Sequence, residues 1–201
     1  MVSLTNLLWV GGTTGLENLP KNGGAIIAAN HCSYLDFIII PSVVTAKIGR
    51  NASIMAASEL TKHPAVGVFA RNDDCILLNR NKIGKVLEAD FFKKGVKALR
   101  EGKLLLVFPE GTRSLDGSLR LWKPGFVKLA IEARAPIIPT VIKGTFDILP
   151  KGHSLPRIGK RSELAFLKPV SLDQYYAKKP DKSDMLKIAE SFRARVAKAL
   201  E

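Results

Sequence analysis

The chain has 201 residues, 46% hydrophobic and 24% charged, which suits one globular domain with a full-sized core and excludes a disordered or fibrous polymer. Its formal net charge of +13 points to an anionic partner: nucleic acid, an anionic membrane surface, or phosphorylated or acidic substrates. Two cysteines make no disulfide framework, no Cys/His spacing resembles a zinc site, and no apolar run approaches the roughly 20 residues needed to span a bilayer.

In chain order, residues 1–22 read as a short helical or irregular lead broken by Gly11-Gly12-Thr13-Thr14-Gly15. Ala25–Ala29 is a short buried strand that runs into Asn30-His31. Tyr34–Lys47 follows as a helix starting after Ser33, with Pro41 as a kink or early break. Ser53–Ala57 reads as a strand, Glu59–Arg71 as a helix, and Cys75–Leu78 as a strand. Gly84–Glu101 is a long helix with Val86, Ala89, Phe92, Val96 and Leu99 on one face. Leu104–Phe108 is wholly apolar, as expected of a central strand covered on both faces. Lys123–Arg134 is a helix, Ile137–Ile142 and Glu163–Leu167 are strands, and Ser183–Leu200 is an amphipathic helix with Ser183 as its expected N-cap. Strands alternating with helices predict an α/β fold, a single domain with a mainly parallel central sheet flanked by helices. The motif-bearing core is expected over about 24–170 and the C-terminal helix over about 183–200.

Two polar clusters each close an apolar run. In the first, Asn30-His31-Cys32-Ser33-Tyr34-Leu35-Asp36, the carboxylate comes five positions after the imidazole. On a regular helix that spacing sets the two on different faces. They meet if His31 lies in the turn and Asp36 sits at the third helical position, leaning back towards the N-terminus. Ser33-x-x-Asp36 also resembles a capping box, and a capping carboxylate can hold a histidine in one tautomer, as a general base requires. In the second cluster, Pro109-Glu110-Gly111 fits a type I turn after the central strand, placing Arg113 where ligands collect in open α/β sheets. Arg80, after Cys75–Leu78, and Lys123, before Pro124-Gly125, are further candidates for gripping a phosphate; each is also readable as a solvated surface cation.

Taken in order, these residues resemble the glycerolipid acyltransferases typified by 1-acylglycerol-3-phosphate acyltransferases. Asn30, His31 and Asp36 match the first motif, Arg80 the arginine of the second, and Phe108–Ser114 the whole of the third. Ala135-Pro136-Ile137-Ile138-Pro139 resembles the fourth, so the likeness runs from about Ala25 to Gly144. The resemblance implies a glycerol-3-phosphate-acyltransferase-like fold and transfer of a fatty acyl group from acyl-CoA or acyl carrier protein to 1-acyl-glycerol 3-phosphate, giving phosphatidate. By it, His31 is the base and Asp36 orients it. Arg80, Glu110, Gly111, Thr112, Arg113 and Lys123 form the phosphate site, and Pro139 borders the acyl pocket. It implies no metal or redox cofactor, no acyl-enzyme on the neighbouring Cys32, and a peripheral position on the cytoplasmic face of a membrane, with anionic lipids as partners and no nucleic acid. Either Leu7-Leu8-Trp9-Val10 or Phe37–Val44 is expected to insert shallowly, core packing being the plainer reading of the latter.

Three departures from the pattern, at Ala57, Asp74 and Asn79, leave glycerol 3-phosphate or another lysophospholipid as alternative acceptors. A catalytically silent anionic-lipid-binding protein is the alternative from another class. Oligomeric state is not encoded legibly.

Overall fold

The computed structural model describes residues 7–62, 67, 75–78, 85–153, 155–177 and 180–201. The described residues form seven strands, most of them short apolar runs: β1 (Val10–Thr14), β2 (Ala25–Ala29), β3 (Ala52–Ala57), β4 (Cys75–Leu78), β5 (Leu104–Val107), β6 (Ile137–Lys143) and β7 (Ser162–Phe166). They make one sheet in the order β1-β7-β6-β2-β5-β3-β4. All pairs are parallel except β6 with β7, so β7 and the β1 strand beside it run against the rest.

The helices α1 (Asp36–Ile48), α2 (Lys85–Arg100), α3 (Gly125–Ala133), the single turn α4 (Thr145–Ile148) and α5 (Lys182–Leu200) cover the sheet. The alternation of the strands sorts the core into two layers. Ile27, Leu104, Leu106 and Ile138 pack against Phe37, Ile39, Ile40, Val43 and Val44 of α1. Ile26, Leu105, Val107 and Ile137 pack against Leu99 of α2, Phe126 and Leu129 of α3, and Phe192 and Val196 of α5. Both faces of β2 and β5 are therefore buried, which is why those strands are apolar throughout. Among the described residues no helix is long and apolar enough to cross a membrane.

The α/β architecture with a mainly parallel sheet agrees with the sequence reading, and three details differ. The expected irregular lead contains β1, an edge strand in parallel register with β7 (Thr13 opposite Leu164). Its Gly-Gly-Thr-Thr sequence lacks an apolar alternation because pairing with a partner some 150 residues away, not local pattern, makes it a strand. The C-terminal helix is capped by Asp181, not Ser183: Asp181 is extended and its Oδ1 accepts the Asp184 N–H at 2.8 Å. Phe37–Val44 is core-facing helix with Pro41 inside it, the plainer of its two sequence readings. Of the helix expected over Glu59–Arg71, the described residues show a 3₁₀ segment over Ser58–Lys62, and most of the remainder lies outside them.

Each edge of the parallel sheet is finished differently. At the edge where β2, β3 and β5 begin, the Arg50 guanidinium donates to the carbonyls of Pro20, Gly23 and Gly102. There, a Cβ on Gly24 would lie 2.0 Å from the Leu99 carbonyl oxygen, so the backbones touch without room for a side chain. At the opposite edge, the loops leaving β2, β5 and β6 enclose a cleft.

Candidate active site

The turn after β2 is built around one carboxylate. Asp36 Oδ2 accepts the backbone N–H of Cys32 at 2.8 Å and of Ser33 at 2.9 Å, while Ser33 Oγ accepts the Leu35 N–H at 3.1 Å. Half of the capping box that Ser33-x-x-Asp36 suggests is formed: Asp36 bonds back to the Ser33 N–H, but Ser33 Oγ takes the Leu35 N–H, and Asp36 is the first residue of α1, not the third as the spacing predicts. The same oxygen lies 2.8 Å from His31 Nδ1, and both side chains are buried. A neutral imidazole donating from Nδ1 keeps its lone pair on Nε2, the nitrogen left for the cleft that His31 lines.

His31 is restrained on every side. Its ring stacks on Phe108, centroids 4.1 Å apart, and meets Phe37 edge-on at 4.9 Å. Its backbone N–H donates to Glu110 Oε1 at 2.9 Å, and its carbonyl accepts the Ser114 N–H at 2.8 Å. Just upstream, the Asn30 carboxamide donates to the Ile142 carbonyl and accepts the Ile142 N–H, continuing the β2–β6 ladder past the strand end. Burial holds the imidazole below its ordinary pKa. Hydrogen bonding and charge from Asp36 pull it up, while the cations Arg113 and Lys151 push it down. Cys32 is unsuited to act as a nucleophile: burial, reinforced by Asp36, pushes its thiol up to about 12.

The loop after β5 turns as its sequence suggests. Gly111 N–H donates to the Phe108 carbonyl at 3.0 Å, with Pro109 and Glu110 at the corners and Gly111 at φ +70°, where a Cβ is disfavoured. Glu110 points inwards. Oε1 holds His31, Oε2 makes no hydrogen bond of good geometry, and burial pushes the carboxyl up to about 7 against the pull of the His31 and Arg120 backbone amides. Arg113 reaches the cleft with its guanidinium 3.4 Å above the centre of the Tyr34 ring, a stacked position that fixes its plane. Lys123 folds across the turn: its Nζ would be 3.1 Å from a Cβ on Gly111.

The cleft holds about 760 Å³, within the range of small-molecule sites. Its polar wall carries His31, Thr112, Arg113, Lys123 and Lys151. Its apolar wall is formed by Met55 and Leu60, by Leu78 at the end of β4, by Phe91 and Phe92 of α2, and by Leu129 of α3. Thus His31, Gly111, Thr112, Arg113 and Lys123 converge, with Asp36 directly behind His31. Glu110 lies beneath the turn, unable to face a phosphate there. Pro139 sits in β6 opposite Ala28 and lines no part of this cleft; the apolar wall lies on the other side of β2. Arg80 lies outside the described residues. The strand before it, β4, is the sheet edge and is separated from β5 by β3, although its last residue reaches the cleft.

Sequence reasoning did not find Lys151 or the Tyr34–Arg113 stack. Lys151 follows Pro150 in a loop with no periodic signal, and only the return of β6 beside β2 brings it to His31.

Comparison with known proteins gives a consistent answer. The family model described as Acyltransferase matches residues 12–143. A 1-acyl-sn-glycerol-3-phosphate acyltransferase of Borreliella burgdorferi is 32% identical over 142 residues, 69% of this chain and 54% of that protein. One from Limnanthes douglasii is 30% identical over 180 residues, 87% of this chain and 61% of that one. The chain thus spans little more than half the length of these relatives. The crystal structure of the 1-acyl-sn-glycerophosphate (LPA) acyltransferase PlsC from Thermotoga maritima superposes with a TM-score of 0.69 at 25% identity, covering 98% of this chain and 74% of that one. A shared fold over nearly the whole chain, and a family match spanning both the His31 turn and the Arg113 loop, make this protein a member of the Acyltransferase family.

Proposed function

We propose that this chain transfers a fatty acyl group from a thioester, on coenzyme A or acyl carrier protein, to the free hydroxyl of 1-acyl-glycerol 3-phosphate, yielding phosphatidate. The observation that carries the reading is the His31–Asp36 pair at 2.8 Å, placed so that the free ring nitrogen shares a cleft with Arg113. The acceptor hydroxyl attacks the thioester carbonyl as His31 Nε2 takes its proton. The new ester C–O bond forms, the C–S bond breaks, and the imidazolium returns the proton to the leaving thiolate. Asp36 keeps the tautomer and balances the transient charge. A general base so positioned supplies about 10²- to 10⁴-fold in rate.

Arg113, with Lys123 and Lys151 beside it, would take the acceptor phosphate, since guanidinium pairs with phosphate through two parallel charge-assisted bonds. The apolar wall from Met55 to Leu129 would take an acyl chain. The high pKa of Cys32 favours direct transfer over an acyl-enzyme, and as proposed the transfer uses only side chains of this chain. Relatives named 1-acyl-sn-glycerol-3-phosphate acyltransferase support the acceptor chosen.

The test is transfer of labelled acyl groups from both donors to lysophosphatidate, glycerol 3-phosphate and lysophospholipids with larger headgroups, with His31→Ala alongside. Turnover of lysophosphatidate that disappears in the variant is expected. Turnover of another acceptor alone would move the specificity, and no turnover with either donor would overturn the assignment.

A further inference from the structure

The loop that carries Arg113 is tied to the His31 turn twice. One tie is backbone, the Ser114 N–H donating to the His31 carbonyl at 2.8 Å. The other is the Arg113 guanidinium, 3.4 Å above the centre of the Tyr34 ring. Tyr34 sits between His31 and α1, where the chain around it is held. Asp36 Oδ2 takes the Ser33 N–H, Ser33 Oγ takes the Leu35 N–H, and the Tyr34 carbonyl takes the Phe37 N–H at 3.3 Å. The ring packs against the core layer that includes α1, and it lines the cleft beside His31 and Arg113.

Stacking uses only the flat face of a guanidinium. The N–H donors point outwards in its plane and stay available for the paired bonds that a phosphate accepts. Among the described residues no carboxylate takes them: the ion pairs formed involve other cations. Arg113 is half-buried, and burial lowers its pKa against the pull of Tyr34 and Asp36. A cation partly stripped of water and held flat against a ring is arranged to receive an anion edge-on. Lys123 and Lys151, which line the same cleft, are point charges on flexible stems; they add attraction without fixing an angle.

We infer that Tyr34 is a positioning residue for the acceptor: its ring holds the Arg113 guanidinium in one plane, so that a bound phosphate sits at a set distance from His31. The base and the plate under the arginine belong to one short turn, which the Asp36 carboxylate folds. The spacing between proton acceptor and phosphate is therefore set locally rather than across the sheet. Without the ring the guanidinium would sample several rotamers, and ordering it on each binding event would weaken the phosphate contact. Tyr34 touches no reacting atom; it acts through Arg113. The inference rests on the reading of Arg113 as the phosphate site.

The test titrates soluble 1-hexanoyl-glycerol 3-phosphate into the 201-residue chain by calorimetry, with no thioester present, so that binding is read apart from turnover. Loss of a partly desolvated stack predicts about 5- to 30-fold weaker binding for Tyr34→Leu, which keeps an apolar side chain against the core, at an unchanged thermal melt. Tyr34→Phe should restore nearly all of the affinity, since a phenyl ring also stacks. In an Arg113→Ala background, Tyr34→Leu should cost nothing further, because the two side chains act as one unit. Wild-type affinity in Tyr34→Leu overturns the inference. So does an undiminished loss on top of Arg113→Ala, a loss in Tyr34→Phe equal to that in Tyr34→Leu, or failure of wild type to bind the probe. Binding that depends on Tyr34 in a chain that transfers no acyl group keeps the inference and sinks only the proposed reaction.

Discussion

The two edges of the parallel sheet are both made of turns at strand ends, yet they do opposite things. Where β2, β3 and β5 begin, one arginine, Arg50, gathers three backbone carbonyls and Gly24 presses on Leu99. Where β2, β5 and β6 end, the corresponding hydrogen bonds are supplied by side chains with chemistry of their own: Asn30, Asp36, Glu110. The polar groups that hold the backbone at this edge also hold His31. Structure and reactivity are separable at the first edge and fused at the second.

That contrast is broken most sharply by Asp36→Asn. An amide keeps an acceptor for the Cys32 and Ser33 N–H groups but loses the charge opposite the imidazolium. Turnover should fall about 10²- to 10⁴-fold, with stability changed by no more than about 1–3 kcal/mol. Arg50→Ala is the mirror experiment. It orphans carbonyls at the closed edge, so urea midpoints should drop by the equivalent of about 1–2 kcal/mol while kcat of the folded protein stays within twofold or so. If Arg50→Ala abolished kcat in folded protein, the separation of the two edges would be wrong.

Arg113→Ala should act on binding. Removing charge-assisted bonds worth about 1.5–3 kcal/mol predicts a rise of about 10- to 100-fold in KM for a phosphorylated acceptor, with kcat little changed. A fall in kcat with unaltered KM would instead make Arg113 a transition-state group.

Glu110 sharpens the comparison through stability. Its folded carboxyl titrates at about 7, above the ordinary 4.5, so ionising it in place costs folding energy. The sign is fixed by that displacement: no cost below 4.5, a growing cost between 4.5 and 7, and a constant one above. Relative to Glu110→Gln, wild type should lose about 2–3 kcal/mol across that window, read from denaturant midpoints at successive pH values. A flat difference would place Glu110 in solvent contact, contrary to its burial.

How much of this was legible follows from how local each feature is. The His31 turn could be read because the six residues His31–Asp36 hold both the imidazole–carboxylate pair and the backbone amides that the carboxylate gathers. Pro109-Glu110-Gly111 could be read because a turn has its own residue code. Glu110 points beneath the turn to the His31 N–H, a direction not legible because the sequence does not say which way a turn carboxylate points. Pro139 lies outside the lining of this cleft because a strand's partners, not its sequence, decide which side of β2 it occupies. β1 is a strand only by docking beside β7, and Asp181 caps α5 two residues earlier than Ser183 suggested, because both residue types serve as caps.

Lys151 is the residue least accessible to sequence reading, and its predicted effect is the smallest. It lines the cleft, and its charge helps hold the His31 imidazole down, behind burial and Arg113 in effect. The neutral imidazole is the working form of a base, so the rate should fall as pH drops through the depressed His31 pKa. Lys151→Met removes a cation that opposes protonation. The acid limb of kcat/KM should therefore move to higher pH, while the plateau at alkaline pH stays close to wild type for an acceptor without phosphate. A movement to lower pH would mean that Lys151 attracts an anion to His31 more than it repels the proton, and the polar wall would then act through its bound counter-ion. An unmoved limb would leave Lys151 as a phosphate contact only. Either way the measurement separates what the open edge does to the base from what it does to the substrate, a distinction that does not arise for Arg50, which binds backbone carbonyls at the closed edge.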